Sequence, residues 1–185
     1  MDNGASSYRR YLDGDINAIA EIVEAYKDGL ILYLNGYVEN LHTAEELTED
    51  TFFRLMVKKP WFSGRCSFKT WLYTIGRNVA LDYLRRRRWD SDTSVEELDN
   101  FFSDESDLER SYIQEEQKRT VRSAMKKLHG DYRQVLWLVY FEGFSNREAG
   151  MILRKTERQI RNLLYRAKQA LRVILEKEGF IYEEF

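Results

Sequence analysis

Between Phe62 and Arg88 the chain reads FSGRCSFKTWLYTIGRNVALDYLRRRR, an apolar stripe at helical spacing that ends in four consecutive arginines. Phe68, Trp71, Leu72, Ile75, Val79 and Tyr83 recur three and four residues apart, which puts them on one face of a helix. Ser67 is placed to cap that helix, and Ser63-Gly64 marks the turn before it. Tyr73 falls off the stripe, and the pattern gives it no role. From Lys58 to Arg88 nine basic residues stand against one acid, Asp82.

Upstream, Asp15 is expected to cap a helix running to about Tyr33, with Ile16, Ile19, Ile22, Val23 and Tyr26 on its buried side. Thr43, with Glu46 three residues on, has the form of a capping box. It opens a second helix with Leu47, Thr51, Phe52, Leu55 and Met56 inward, ended by Lys58-Lys59-Pro60.

Downstream, the period fails from Trp89 to about Asp107, and residues 89–109 hold nine acids and no base. Such a stretch reads as a solvated linker. Periodicity returns from about Leu108 to Leu128, and His129-Gly130 stops it. Asp131 is expected to cap a helix with Val135, Leu136, Leu138 and Val139 inward, ending at Glu142-Gly143. Ser145 to Glu148 forms a capping box for a short helix through Leu153, and Arg154-Lys155 makes a turn. Thr156 to Gln159 forms another, opening a helix to about Glu176. The fold class is all-α, with two helical domains, 1–88 and 110–185, joined by a flexible acidic linker, 89–109.

Of the 185 residues, 43% are hydrophobic, enough for real cores, yet no apolar run approaches the 18 or so residues of a membrane span. No membrane insertion is expected, and the polar start has no signal-peptide character, so a cytoplasmic protein is expected. One cysteine, Cys66, rules out an internal disulfide, and His42 and His129 lack ligand spacing. No metal or other cofactor is expected. The charge is segregated: residues 1–57 carry four bases against eleven acids, and residues 110–185 sixteen against ten. Two basic surfaces separated by an acidic segment suit nucleic acid.

Two helices joined by a short turn, the second basic, have the form of a helix-turn-helix. The second helix turns Ile160, Leu163, Leu164 and Ala167 inward. Lys155 and Thr156 stand at its start, and Glu157, Arg158, Arg161, Asn162, Tyr165 and Arg166 face outward. Arginine pairs with guanine edges and asparagine with adenine, whereas a merely solvated basic face is the plainer reading. In the earlier basic helix, Arg65, Lys69, Arg77, Arg85 and Arg86 can follow a single strand while Trp61 and Phe62 stack on bases. Asn78 and Asp82 share one face of it. The plainer alternative leaves Asp82 paired with Arg85 or Arg86.

WFSGRCSFKTWLYTIGRNVALDYLRRRR resembles region 2 of the extracytoplasmic-function (ECF) sigma factors of bacterial RNA polymerase. AEELTEDTFFRLM resembles that family's core-binding helix, and YRQVLWLVYFEGFSNREAGMILRKTERQIRNLLYRAKQALR its region 4 with the helix-turn-helix. The resemblance departs at Leu153-Arg154, where the family usually has Leu-Gly, and at Arg158-Gln159-Ile160, where it often has Gly-Thr-Val.

The resemblance implies a sigma factor that binds core RNA polymerase, through its β′ and β subunits, and directs promoter-specific initiation. The first domain would hold the β′ coiled coil through Glu45, Glu46, Thr48, Glu49, Asp50, Phe53 and Arg54. It would capture the melted −10 strand through Trp61, Phe62, Arg65, Lys69, Arg77, Asn78, Asp82, Arg85 and Arg86. The second would read the −35 duplex, with the linker in the RNA path. Promoter DNA is then a partner, and an anti-sigma factor is a further candidate. The alternative is a stand-alone helix-turn-helix regulator independent of polymerase. Catalysis is not expected: Glu45, Glu46, Glu49 and Asp50 have no partner carboxylate motif with which to hold Mg²⁺.

Overall fold

A computed structural model of the chain describes residues 3–91, 121 and 123–177. The first unit is four helices: α1 (Asn3–Leu12), α2 (Ala18–Val38), α3 (Leu41–Lys58) and α4 (Phe68–Ser91). The second contains α5 (Gly130–Leu136), prolonged by a π-helical turn (Trp137–Phe141), then α6 (Asn146–Leu153) and α7 (Glu157–Lys177). All regular structure among the described residues is helical, as the periodicity requires.

In the first unit α2 is the hub, packed on α1, α3 and α4. Ile22, Leu30, Leu34, Leu47, Phe52, Leu55, Phe68, Leu72 and Val79 fill the space between them. Ser67 caps α4 as its sequence suggests, its Oγ accepting the Thr70 amide at 3.2 Å. The other two expected caps shift. Asn40, not Thr43, caps α3: Asn40 is extended, and its Oδ1 accepts the Thr43 amide at 2.9 Å. Asp15 stands three residues ahead of α2, whose N-cap is Asn17: its Oδ1 accepts the Asn17 amide at 3.2 Å, its Oδ2 pairs with Arg10, and Ile16 is 77% exposed. Met56, expected inward, lies at the surface of α3.

Helix α1 has too few aliphatics to announce itself. Ten residues form no stable helix alone, so tertiary contacts must hold it. Tyr8 is buried against Phe68 and Trp71 at 5.5 and 5.3 Å between ring centres, and its hydroxyl donates to the Pro60 carbonyl at 2.8 Å. Ser7 Oγ donates to Glu21 at 2.6 Å.

Helix α4 continues to Ser91, three residues beyond the expected domain edge at Arg88. The rest of the linker, the helix expected from Leu108 as far as residue 120, and the tail Glu178–Phe185 lie outside the described residues. In the second unit Val135, Leu138, Ile152, Ile160, Leu164 and Ala167 form the core. Asp131, expected as a cap, lies in the first turn of α5 and faces Lys155 Nζ at 3.6 Å. Both later capping boxes form: Ser145 with Glu148, and Thr156 with Gln159.

The turn between α6 and α7 is closed tightly, since a Cβ on Gly150 would stand 2.6 Å from the Lys155 carbonyl oxygen. Arg154 terminates α6 in the left-handed region, φ 56° and ψ 44°, where glycine is preferred. An arginine held there costs about 1 kcal/mol. The two units are docked, α6 against α4 and α5 against α2.

Candidate nucleic-acid interface

Helix α7 separates its residues cleanly. Ile160, Leu164 and Ala167 are buried, while Thr156, Glu157, Arg158, Arg161, Asn162, Tyr165 and Arg166 are exposed. Arg161 Nη1 donates to Glu157 one turn earlier at 2.6 Å, which orients the guanidinium along the outward face. Lys155 is half-buried beside Asp131. The Thr156–Gln159 box satisfies amides at the N-terminus, the end a major groove receives in a helix-turn-helix.

Helix α4 behaves differently. Trp61, ahead of it, is 81% exposed, and Arg65, Arg85 and Arg86 are exposed as well. Phe62 is not a free platform like Trp61: it packs on Phe68 and Trp71 at 5.7 and 5.1 Å, as part of one aromatic cluster. Asp82 faces Arg85 at 3.4 Å and Arg54 at 3.8 Å, so the plain ion-pair reading of Asp82 is realised. Arg77 is half-buried beside the Tyr37 hydroxyl.

The remaining −10 candidates are engaged by the second unit. Lys69 Nζ lies 2.9 Å from the Glu142 carboxylate and donates to the Glu142 carbonyl at 2.8 Å. Asn78 Oδ1 accepts from Arg154 Nη2 at 3.2 Å. Sequence reasoning missed the rest of this seam. Tyr73 is fully buried, its ring against Phe144 at 5.1 Å and its hydroxyl donating to Glu142 at 2.7 Å. Burial, reinforced by the Glu142 charge, pushes the Tyr73 phenol far above its usual range.

Ser67 and Thr70 hydroxyls lie 3.2 and 3.1 Å from Glu148 Oε1, so the carboxylate that completes the α6 capping box also reaches the N-terminus of α4. Burial raises the Glu148 carboxyl, but the hydrogen bonds from Ser145, Thr70 and Ser67 outweigh it and hold the group below its ordinary value. Gly29 on α2 is required behind the Tyr73–Glu142 pair, since a Cβ there would stand 2.6 Å from the Tyr73 hydroxyl.

Along α3, Glu45, Glu46, Glu49, Asp50 and Phe53 are exposed and Arg54 is half-buried. Thr48 is a correction: it is 1% exposed and its hydroxyl donates to the Ala44 carbonyl, so it faces the core and no partner can reach it. Met56 and Val57 instead join Phe53 at the surface, one turn apart. Their exposure could not be read from a pattern that treats apolar as inward.

Comparison with known proteins agrees with this geometry. The sigma-70 region 2 model matches residues 22–90, within the first unit, and the sigma-70 region 4 model matches residues 118–171. The chain is 29% identical over 167 residues to the ECF RNA polymerase sigma factor SigW of Bacillus subtilis (strain 168), covering 86% of this chain and 89% of that one. It is 26% identical over 159 residues to SigM of the same organism, covering 86% and 96%. Among solved structures, the fold resembles the sigma factor RpoE in complex with the anti-sigma factor NepR from Bartonella quintana. The TM-score is 0.69 at 22% identity, over 86% of this chain and 98% of that one. CnrH in complex with the cytosolic domain of CnrY is also similar, with a TM-score of 0.64 at 20% identity, over 95% and 96%. With both sigma regions present in order on two helical units, the chain belongs to the ECF branch of the sigma-70 family, the subunits that bind core RNA polymerase and direct it to particular promoters.

Proposed function

We propose that this sigma factor captures the melted −10 strand with residues 1–88 and reads the −35 duplex with residues 110–185, the segment 89–109 passing between them. The observation that carries the proposal is the outward face of α7, where Arg158, Arg161, Asn162, Tyr165 and Arg166 stand together beside a capped N-terminus. Arg158, Arg161 and Asn162 suit base edges, and Lys155 and Arg166 suit phosphates. Thr156 and Glu157 set the entry of the helix.

On the first unit, Trp61 stacks on an unpaired base with Phe62 behind it. Asn78 and Asp82 read base edges, and Arg65, Lys69, Arg77, Arg85 and Arg86 follow the backbone. The β′ subunit takes the acidic face of α3 (Glu45, Glu46, Glu49 and Asp50) together with Arg54 at its edge, with Phe53, Met56 and Val57 as apolar anchors. The partners are core polymerase, through β′ and β, and promoter DNA. An anti-sigma factor is a further partner in this reading, as NepR is for RpoE in the complex named above. The protein acts in the cytoplasm and without catalysis of its own.

The test is retention of the tagged chain on purified core polymerase, followed by run-off transcription from a promoter library. Core binding with transcription from a defined promoter set is expected. Specific duplex binding without core retention would instead establish the stand-alone regulator.

A further inference from the structure

We propose that α1 sets the strand-reading loop: Tyr8 and Tyr11 are positioning residues that hold the backbone from which Trp61 projects. The inference rests on the proposed stacking of Trp61 on an unpaired base. Residues 59–67 run between α3 and α4 outside regular structure, so side-chain contacts must fix their course. Trp61 is 81% exposed, and its orientation is inherited from the backbone on either side.

Both sides are held. Immediately before Trp61, the Pro60 carbonyl accepts the Tyr8 hydroxyl at 2.8 Å. Immediately after it, Phe62 packs on Phe68 and Trp71, the same two rings that cover Tyr8. Farther back, in the last turn of α3, the Met56 carbonyl accepts the Tyr11 hydroxyl at 3.1 Å. Lys59 then turns the chain with φ 41°, in the left-handed region, and its Nζ lies 5.1 Å from the centre of the Tyr11 ring. Such a backbone persists only where its surroundings over-determine it, and α1 supplies them.

Helix α1 is itself closely seated. A Cβ on Gly4 would stand 2.5 Å from Phe68 Cδ1 and from the Tyr26 hydroxyl, while Ser7 and Arg10 tie the helix to Glu21. A buried hydroxyl needs some partner, but the half-buried Tyr11 could use water. Two tyrosines one turn apart instead converge on one short stretch, Met56 to Pro60. A side chain aimed in advance spends less of its binding energy on ordering. The aiming element also lies ahead of the region 2 match at residues 22–90.

The test uses holoenzyme assembled from the full-length chain and core polymerase. Promoter DNA recovered from the run-off library carries 2-aminopurine at successive −10 non-template positions. The fluorescence change that Trp61→Ala removes marks the base taken by Trp61. Y8F keeps the ring in its cluster and deletes only the hydroxyl. It should lower strand capture about fivefold, as the loss of one ordinary hydrogen bond from the aligned state allows, and Y11F about twofold. In the Trp61→Ala background Y8F should change nothing further. General loosening of the unit would weaken both backgrounds alike, so this coupling separates positioning from mere support.

Equal loss from Y8F in both backgrounds, or no loss with Trp61 present, overturns the inference. If Trp61→Ala removes no fluorescence change at any position, the stacking reading itself fails, and the positioning role falls with it.

Discussion

Tyr73 in α4 and Tyr165 in α7 both lie off the apolar stripe of an amphipathic helix, yet Tyr73 is 0% exposed and Tyr165 is 68% exposed. The two helices solve different problems. Helix α7 buries one stripe and offers everything else to solvent. Helix α4 buries one stripe in its own unit and a second strip, Tyr73 with Lys69 and Thr70 beside it, under the other unit. An off-stripe aromatic therefore marks either a reading surface or a docking surface, and only the neighbouring element decides which.

The largest effect that can break this contrast is on stability. Tyr73→Ala removes a fully buried ring with a satisfied hydroxyl, and should cost about 3–5 kcal/mol in urea unfolding. Tyr165→Ala should change stability by no more than about 0.5 kcal/mol and act on promoter binding instead. Equal stability losses for both would mean that Tyr165 is also covered, and the contrast would fail.

Next come the arginines of α7. Arg158→Ala or Arg161→Ala should cost about 1–3 kcal/mol of discrimination at one −35 position, while Arg166→Ala should weaken all sequences alike and lower the salt slope by about 1. Transcription from a set of −35 variants at two salt concentrations separates them. Uniform loss with Arg158→Ala and Arg161→Ala would make α7 a general phosphate clamp.

Against these, Asn78→Ala and Asp82→Ala on α4 should reduce promoter opening while thermal stability changes little. Among the described residues, Asn78 accepts from an exposed arginine of the other unit, and Asp82 faces the half-buried Arg54 and the exposed Arg85. Parallel loss of folding and opening would assign both to structure.

The legible parts follow from the same contrast. Capping boxes at Ser145 and Thr156 depend on residues three apart, so local spacing reveals them. The stripes of α4 and α7 are equally local. What stayed hidden depends on contacts distant in sequence: α1, held by Tyr8 on residues some fifty and sixty positions away, and the covered side of α4. The resemblance of AEELTEDTFFRLM to the family's core-binding helix puts Thr48 among the polymerase contacts, whereas its hydroxyl is satisfied by its own helix and the residue faces the core. The π-helical turn lies beyond reach of a 3.6-residue period by construction. The positive φ of Arg154 occurs where the family usually has glycine, so the departure at Leu153-Arg154 was a local sign of a strained turn.

The smallest effect sharpens the comparison at the two capping boxes. Ser145 is paired with Glu148, which titrates, and Thr156 with Gln159, which does not. Removing either cap, Ser145→Ala or Thr156→Ala, should cost about 1 kcal/mol near neutral pH. Only the first box carries a pH dependence. Glu148 is held below its ordinary value of 4.5, so its stabilisation is complete above that value and is lost as pH falls through its lower folded value. Protonation then loosens the α6 cap and the tie to Ser67 and Thr70 together. Glu148→Gln should flatten this part of the stability profile between neutral and acid pH, whereas Gln159→Ala should shift the whole profile without changing its shape. The check is urea unfolding of parent and both variants across that range. An unchanged slope for Glu148→Gln would mean that the carboxylate ties neither the cap nor the seam.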